Sequence, residues 1–261
     1  MEVLIRDSAE IGCVLGAKII ASVVREKPNA VLGLATGRTP LRLYQELIRL
    51  HKSEGLDFSR VTTFNLDEYV GLPPNHEQSY RYFMQENLFR HINIDVKRTH
   101  VPNGIAADLH AECRSYETRI TDAGGIDIQL LGLGRNGHIG FNEPTGSLRS
   151  RTWIKILSEQ TLKDNSEVFG SIDAMPKHAI TMGIGTILDA RRCLLLAFGP
   201  SKVRAVEHMI EGPLSAICPG SALQLHPRAT VILDETSAAG LHYADHYRWI
   251  DKHKFEWQRH G

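Results

Sequence analysis

The chain has 261 residues, 42% of them hydrophobic, with 30 basic and 30 acidic side chains. That length supports one large or two small domains with a sizeable core, and the balanced charge gives no basic excess to point to nucleic acid or an anionic membrane surface. The four cysteines (Cys13, Cys113, Cys193, Cys218) lack disulfide or zinc spacing, the N-terminus lacks a signal-peptide pattern, and no apolar run approaches ~20 residues, so a soluble cytoplasmic protein with free thiols is expected.

Taken in chain order, short apolar runs alternate with amphipathic stretches. Val3–Ile5 reads as a first strand, and Ser8 caps a helix running to about Lys27. Ala30–Ala35 is a second strand, and Pro40 suits the first turn of a helix reaching about Lys52. Val61–Asn65 is a third strand, followed by helices over Ser79–Ile92 and His110–Ala123. Strands are predicted at Ile126–Leu131, Trp153–Leu157, Cys193–Phe198 and Thr230–Leu233, with helices at Ile184–Ala190, Ser201–Glu211 and through the aromatic tail from Glu235. The alternation predicts an α/β fold: a Rossmann-like, mostly parallel open sheet with helices on both faces. No linker or repeat interrupts it, so a single domain over 1–261 is expected. In such a sheet ligands collect at the carboxyl ends of the strands, which directs attention to the loops there.

The loop after the second strand, Ala35-Thr-Gly-Arg-Thr-Pro40, offers backbone N–H groups and hydroxyls ahead of a helix N-terminus. It reads either as a phosphate-binding turn or as an ordinary tight one. After the third strand, Asp67 and Glu68 are two adjacent carboxylates, a surface turn or the source of a general base. The richest loop runs from Leu131 to Pro144 and contains Gly132-x-Gly134-x-x-Gly137. A dinucleotide fingerprint would open a long helix and carry an acid ~20 residues on. Here Gly140, Pro144 and Gly146 break the segment, and the later zone reads Ser150-Arg-Thr-Trp-Ile-Lys155. What remains is a cluster of Asn136, His138 and Glu143 among glycines, suited to proton transfer near neutral pH. Lys202, in the turn Phe198-Gly-Pro-Ser-Lys202, faces the same rim and is either solvated or placed to hold a phosphate.

The segments GLATGRTP, TTFNLDEYVGLP, SYRYFM, LLGLGRNGHIGFNEP, SRTWIK, TMGIGTILDA and FGPSK, spread over residues 30–235, together resemble the glucosamine-6-phosphate deaminase family. The pair FNLDEYVGLP and GRNGHIGFNEP is specific to it. The related 6-phosphogluconolactonases share looser glycine loops. The resemblance implies a cofactor-free and metal-free reaction in which D-glucosamine 6-phosphate and water give D-fructose 6-phosphate and ammonia. It implies that His138, oriented by Glu143 and Asn136, opens the sugar ring and that Asp67 moves a proton from C2 to C1. It places the 6-phosphate on the loop of Thr36, Gly37 and Thr39, on Lys202 and on an arginine of a mobile lid at about 158–180, and Arg38, within that loop, is a further phosphate-binding candidate. A homo-oligomer is possible, since family members range from monomers to hexamers. Galactosamine 6-phosphate as substrate, or a non-catalytic sugar-phosphate sensor, are the competing readings.

The sequence departs from the family at three positions. The lid arginine is Glu167 here, and Arg38 stands where glycine or serine is common. Two readings follow: Arg38 replaces the missing phosphate clamp or pairs with Glu167, or it faces solvent and Glu167 is a drifted lid residue. Trp153 replaces an arginine used by the family members that N-acetylglucosamine 6-phosphate activates, which argues against that activation. A milder difference is Asn136, which is aspartate in many members and asparagine in others; an amide still orients His138 but does not raise its basicity as a carboxylate would.

Overall fold

The structure, a computed structural model, describes residues 1–171 and 173–255, with backbone alone at 164, 165, 167 and 168. The first half runs β1 (Glu2–Arg6), α1 (Ala9–Glu26), β2 (Val31–Leu34), α2 (Leu41–Glu54), β3 (Thr62–Asn65), β4 (Asp67–Tyr69), α3 (Tyr80–Asn87), β5 (Thr99–His100) and α4 (Leu109–Asp122). The second runs β6 (Ile128–Gly132), β7 (Trp153–Ile156), α5 (Glu159–Asn165), β8 (His178–Thr181), α6 (Ile184–Leu188), β9 (Cys193–Ala197), α7 (Val203–Ile210), β10 (Ala229–Asp234) and α8 (Ala244–Lys252). Short 3₁₀ turns, including Ser166–Phe169 and Pro200–Lys202, join some of these.

Seven strands form one sheet in the order β1-β10-β9-β6-β2-β3-β5, and every neighbouring pair is parallel. The sequence explains this. β2 (VLGL) and β9 (CLLLA) are buried at every residue, as strands covered on both faces must be. The chain builds outward from β2 on one side and from β6 on the other. With right-handed crossovers, helices after β2 and after β6 fall on opposite faces. α1 and α2 accordingly pack together, with Gly16 of α1 against Leu43 of α2 and Ile232 of β10. The order reverses between β2 and β6, and the loops leaving those two strands flank that point.

A second, three-stranded antiparallel sheet, β4-β8-β7, stands beside the first. β7 matches a predicted strand but belongs to this small sheet. Neither β4 nor β8 is predicted. Its own hydrophobic cluster holds Tyr69, Phe141, Leu157, Leu162, Met175 and Ala179, with Phe169 packed against them. Within 158–180 lie α5, a 3₁₀ turn and the start of β8, and Leu162, Phe169, Met175 and Ala179 are the residues there that join this cluster.

Some boundaries differ from the expected ones. Pro40 is the N-cap of α2 rather than part of its first turn. α3 stops at Asn87, whose side-chain amide bonds the Phe83 carbonyl, and Leu88 leaves helical geometry. The tail is not helical from Glu235. Asp234 and Ser237 close a turn there, and the Glu211 carboxylate takes the His242 and Tyr243 N–H groups at 2.8 and 2.9 Å, so a helix begins only at Ala244. The end of the predicted tail helix, residues 256–261, lies outside the described residues.

Candidate active site

Register brings the strand ends level. Leu34 pairs with Asn65, Gly33 with Gln129, and Gly132 with Leu196. The loops carrying Thr36, Asp67, His138 and Lys202 therefore leave neighbouring strands β2, β3, β6 and β9 along one rim.

Asp67 opens β4 directly after β3 and is 6% exposed. Burial, and then the neighbouring Glu68 charge, push its pKa up to about 8. Glu68, also buried, is spent on structure. It accepts the backbone N–H of Tyr69 at 2.9 Å, Tyr80 at 3.0 Å and Arg81 at 3.1 Å, which anchors the start of α3. Burial still raises its pKa to about 7 against those three bonds. The two adjacent carboxylates thus separate into one that holds a helix and one that faces the rim.

The loop after β6 folds back onto Asp67. Gly140 is the meeting point: a Cβ there would stand 3.4 Å from Asp67 Oδ2 and 3.0 Å from Thr181 Oγ1. Phe141 N donates to that same Thr181 hydroxyl at 3.0 Å, pinning the loop to β8. Gly134 lies under the His138 ring, and a Cβ at 134 would come within 2.2 Å of it. The glycine spacing that imitates a dinucleotide fingerprint is here a seat for an imidazole.

Within this loop three side chains form a relay. Asn136 Nδ2 donates to Glu143 Oε2 at 2.8 Å, so its Oδ1 points to His138 Nδ1 at 2.7 Å. An amide oxygen only accepts, so His138 carries its proton on Nδ1 and keeps the lone pair on Nε2. Glu143 Oε2 is 3.6 Å from Nδ1, close enough to stabilise an imidazolium. Burial alone would raise the Glu143 pKa. Hydrogen bonding and charge from His138, then hydrogen bonds from Thr161 and Asn136, reverse that and hold it at about 2.

The Thr36 loop ends β2. Gly37 has φ +101°, a left-handed conformation that suits glycine, and Arg38 is exposed. α2 follows with no side-chain cap and no acid in its first turn, so its N-terminal N–H groups face the loop. Lys202 is half-buried. Its ammonium donates to the Leu133 carbonyl at 2.6 Å, which ties the turn after β9 to the loop after β6. Burial, and then Arg135, lower its pKa. The Glu167 side chain, the proposed counterpart of Arg38, lies outside the described part of the chain.

Trp153 does not imitate the arginine it replaces. Its indole N–H donates to Asn142 Oδ1 at 3.2 Å, and the Lys155 ammonium lies 4.9 Å above its ring. Sequence reasoning missed Ser158, Thr161 and Thr181. Ser158-x-x-Thr161 reads only as a helix start, and nothing local says that its hydroxyls reach Glu143. Among the described residues no group of three or more His, Cys, Asp or Glu side chains is placed to hold a metal.

A family profile described as glucosamine-6-phosphate isomerases/6-phosphogluconolactonase matches residues 9–232. The chain belongs to this family. Among curated members it is 54% identical to the glucosamine-6-phosphate deaminase of Hahella chejuensis over 250 residues, covering 96% of this chain and 95% of that one. It is 51% identical to the deaminase of Arthrobacter sp. over 256 residues, covering 98% of each. A solved monomeric glucosamine-6-phosphate deaminase superposes with a TM-score of 0.90 at 50% identity, over 92% of this chain and all of that one. The 6-phosphogluconolactonase of Trypanosoma cruzi, at 20% identity and a TM-score of 0.73, shares the fold. The parallel α/β core is thus the family's, and FNLDEYVGLP and GRNGHIGFNEP, on which the resemblance rests, supply two of the four loops on the rim.

Proposed function

We propose that the chain converts D-glucosamine 6-phosphate and water to D-fructose 6-phosphate and ammonia. The observation that carries this reading is a buried carboxylate of raised pKa, Asp67, set against a loop whose histidine is locked with its Nε2 lone pair available. The reaction is an isomerisation with loss of the amine, and it is all proton traffic around a carbonyl. Opening the pyranose needs a proton taken from O1 and delivered to the ring oxygen. His138 Nε2 does both, and the Glu143 carboxylate stabilises the imidazolium between the two steps. Asp67 then takes the proton from C2 of the open chain and returns it at C1. C1 becomes a hydroxymethyl carbon and C2 an imine, as one proton of the amine passes to O1; water then adds at C2 and ammonia leaves, giving the C2 carbonyl. A carboxylate in water is too weak a base for a C–H proton. Burial raises its basicity.

The 6-phosphate fits the loops after β2 and β9, whose strands flank β6 and its His138 loop. Backbone and hydroxyl donors of Thr36, Gly37 and Thr39, the uncapped start of α2, Lys202 and Arg38 surround one anion. A dianion there would also offset the mutual repulsion of Lys202 and Arg135. α5 and the 3₁₀ turn that follows it act as the lid over the site.

Ammonia release measured separately from glucosamine 6-phosphate and galactosamine 6-phosphate, beside hydrolysis of 6-phosphogluconolactone, tests the reading. Turnover of the first substrate in preference to the other two is expected. No ammonia from either amino sugar would sink it.

A further inference from the structure

The Glu143 carboxylate is divided between two parts of the molecule. Its Oε2 faces the relay, accepting Asn136 Nδ2 at 2.8 Å beside His138 Nδ1 at 3.6 Å. Its Oε1 faces the start of α5. There it accepts a short hydrogen bond from the Thr161 hydroxyl and another from Ser158 Oγ at 3.1 Å. Thr161 is 2% exposed, so water does not substitute for that donor. Ser158 Oγ also caps α5 by accepting Thr161 N at 3.2 Å, so one hydroxyl serves both the helix and the carboxylate. The next residue, Leu162, is buried in the cluster that includes Phe141 of the catalytic loop.

A carboxylate held at one oxygen alone can rotate about its Cγ–Cδ bond. Held at both, it has a fixed plane. The plane sets where Oε2 points, Oε2 orients the Asn136 amide, and the amide sets the His138 tautomer. We propose that Thr161, supported by Ser158, is a positioning residue for ring opening: it fixes Glu143 from the α5 side and so makes the start of α5 part of the proton relay. This rests on the deaminase reading above and extends it to a residue that never touches the sugar. The titratable group facing Glu143 is His138, and the other hydrogen-bond partners, Asn136, Ser158 and Thr161, are neutral.

The test is steady-state kinetics of Thr161→Val and Thr161→Ser on glucosamine 6-phosphate, with melting temperatures as a check on folding. Valine keeps the shape and removes the hydroxyl; serine keeps the hydroxyl. Thr161→Val should lower kcat about 10-fold or more, the scale of one hydrogen bond to a charged group, and leave KM within about 2-fold. Thr161→Ser should recover most of the loss. In a Glu143→Ala background, where nothing remains to be positioned, Thr161→Val should cost less than about 2-fold. Equal loss in the valine and serine variants, wild-type kcat in Thr161→Val, or the same penalty with and without Glu143 would each overturn the proposal. An inactive wild-type chain would instead overturn the deaminase reading.

Discussion

At the scale of single residues, burial separates chemistry from structure. Asp67 and Glu68 are adjacent and both inaccessible, yet three backbone N–H groups compensate Glu68, and none enters the shift at Asp67. That difference has a pH signature. Asp67 works as a base only when ionised, so with a pKa raised to about 8 the free enzyme's kcat/KM should climb as pH rises and level off above that value. The same shift bears on stability with the opposite sense. A carboxyl whose folded pKa lies above its unfolded value binds more protons when folded, so its stability cost grows from the unfolded pKa near 4 up to about pH 8. Asp67→Asn should therefore raise the melting temperature, and raise it more at pH 8.5 than at pH 5. An equal gain at both values would contradict the assignment. On the phosphate side, Lys202→Ala should raise KM by about 10- to 100-fold, the scale of one charge-assisted hydrogen bond. Arg38→Gly should raise it less, because an exposed cation is partly screened. An unchanged KM in Arg38→Gly would remove that residue from the site.

At the scale of elements, what the sequence reveals follows burial geometry. β2 and β9 are legible as continuous apolar runs because both of their faces are covered. β4 and β8 are not. The first is the three polar-to-aromatic residues Asp67–Tyr69, a strand only because β8 lies beside it, and the second is His178–Thr181, a strand because it lies between β4 and β7. Helix starts with a serine cap, at Ser8 and Ser79, carry their signal locally. The end of α3 and the late start of α8 do not, since tertiary hydrogen bonds set them. The site divides in the same way. Asn136, His138 and Glu143 share one loop and are visible together, whereas Ser158 and Thr161 join them across a strand. β7 carries a further consequence. Trp153 commits its N–H to Asn142 and presents no cation, so N-acetylglucosamine 6-phosphate should leave the rate against glucosamine 6-phosphate unchanged. Activation by that compound would show that Lys155 suffices without the arginine.

At the scale of the whole molecule, the parallel sheet supplies a rim and the small antiparallel sheet closes it. The first sheet brings four loops level through register alone. The second holds Asp67 in β4, Thr181 in β8 and, through the cluster of Tyr69, Phe141 and Leu162, the start of α5. Neither sheet contains the site by itself, which is why the alternation of strands and helices predicts the scaffold and only the motif pair identifies the chemistry. The most direct measurement is ammonia release from glucosamine 6-phosphate by the wild-type chain and by Asp67→Asn, at saturating substrate. Ammonia equal to the fructose 6-phosphate formed is predicted for the wild type, with kcat lower by about 10²–10⁴ in the variant, the usual contribution of a general base. Absence of ammonia from the wild type, or an Asp67→Asn variant that turns over as fast, would contradict the account.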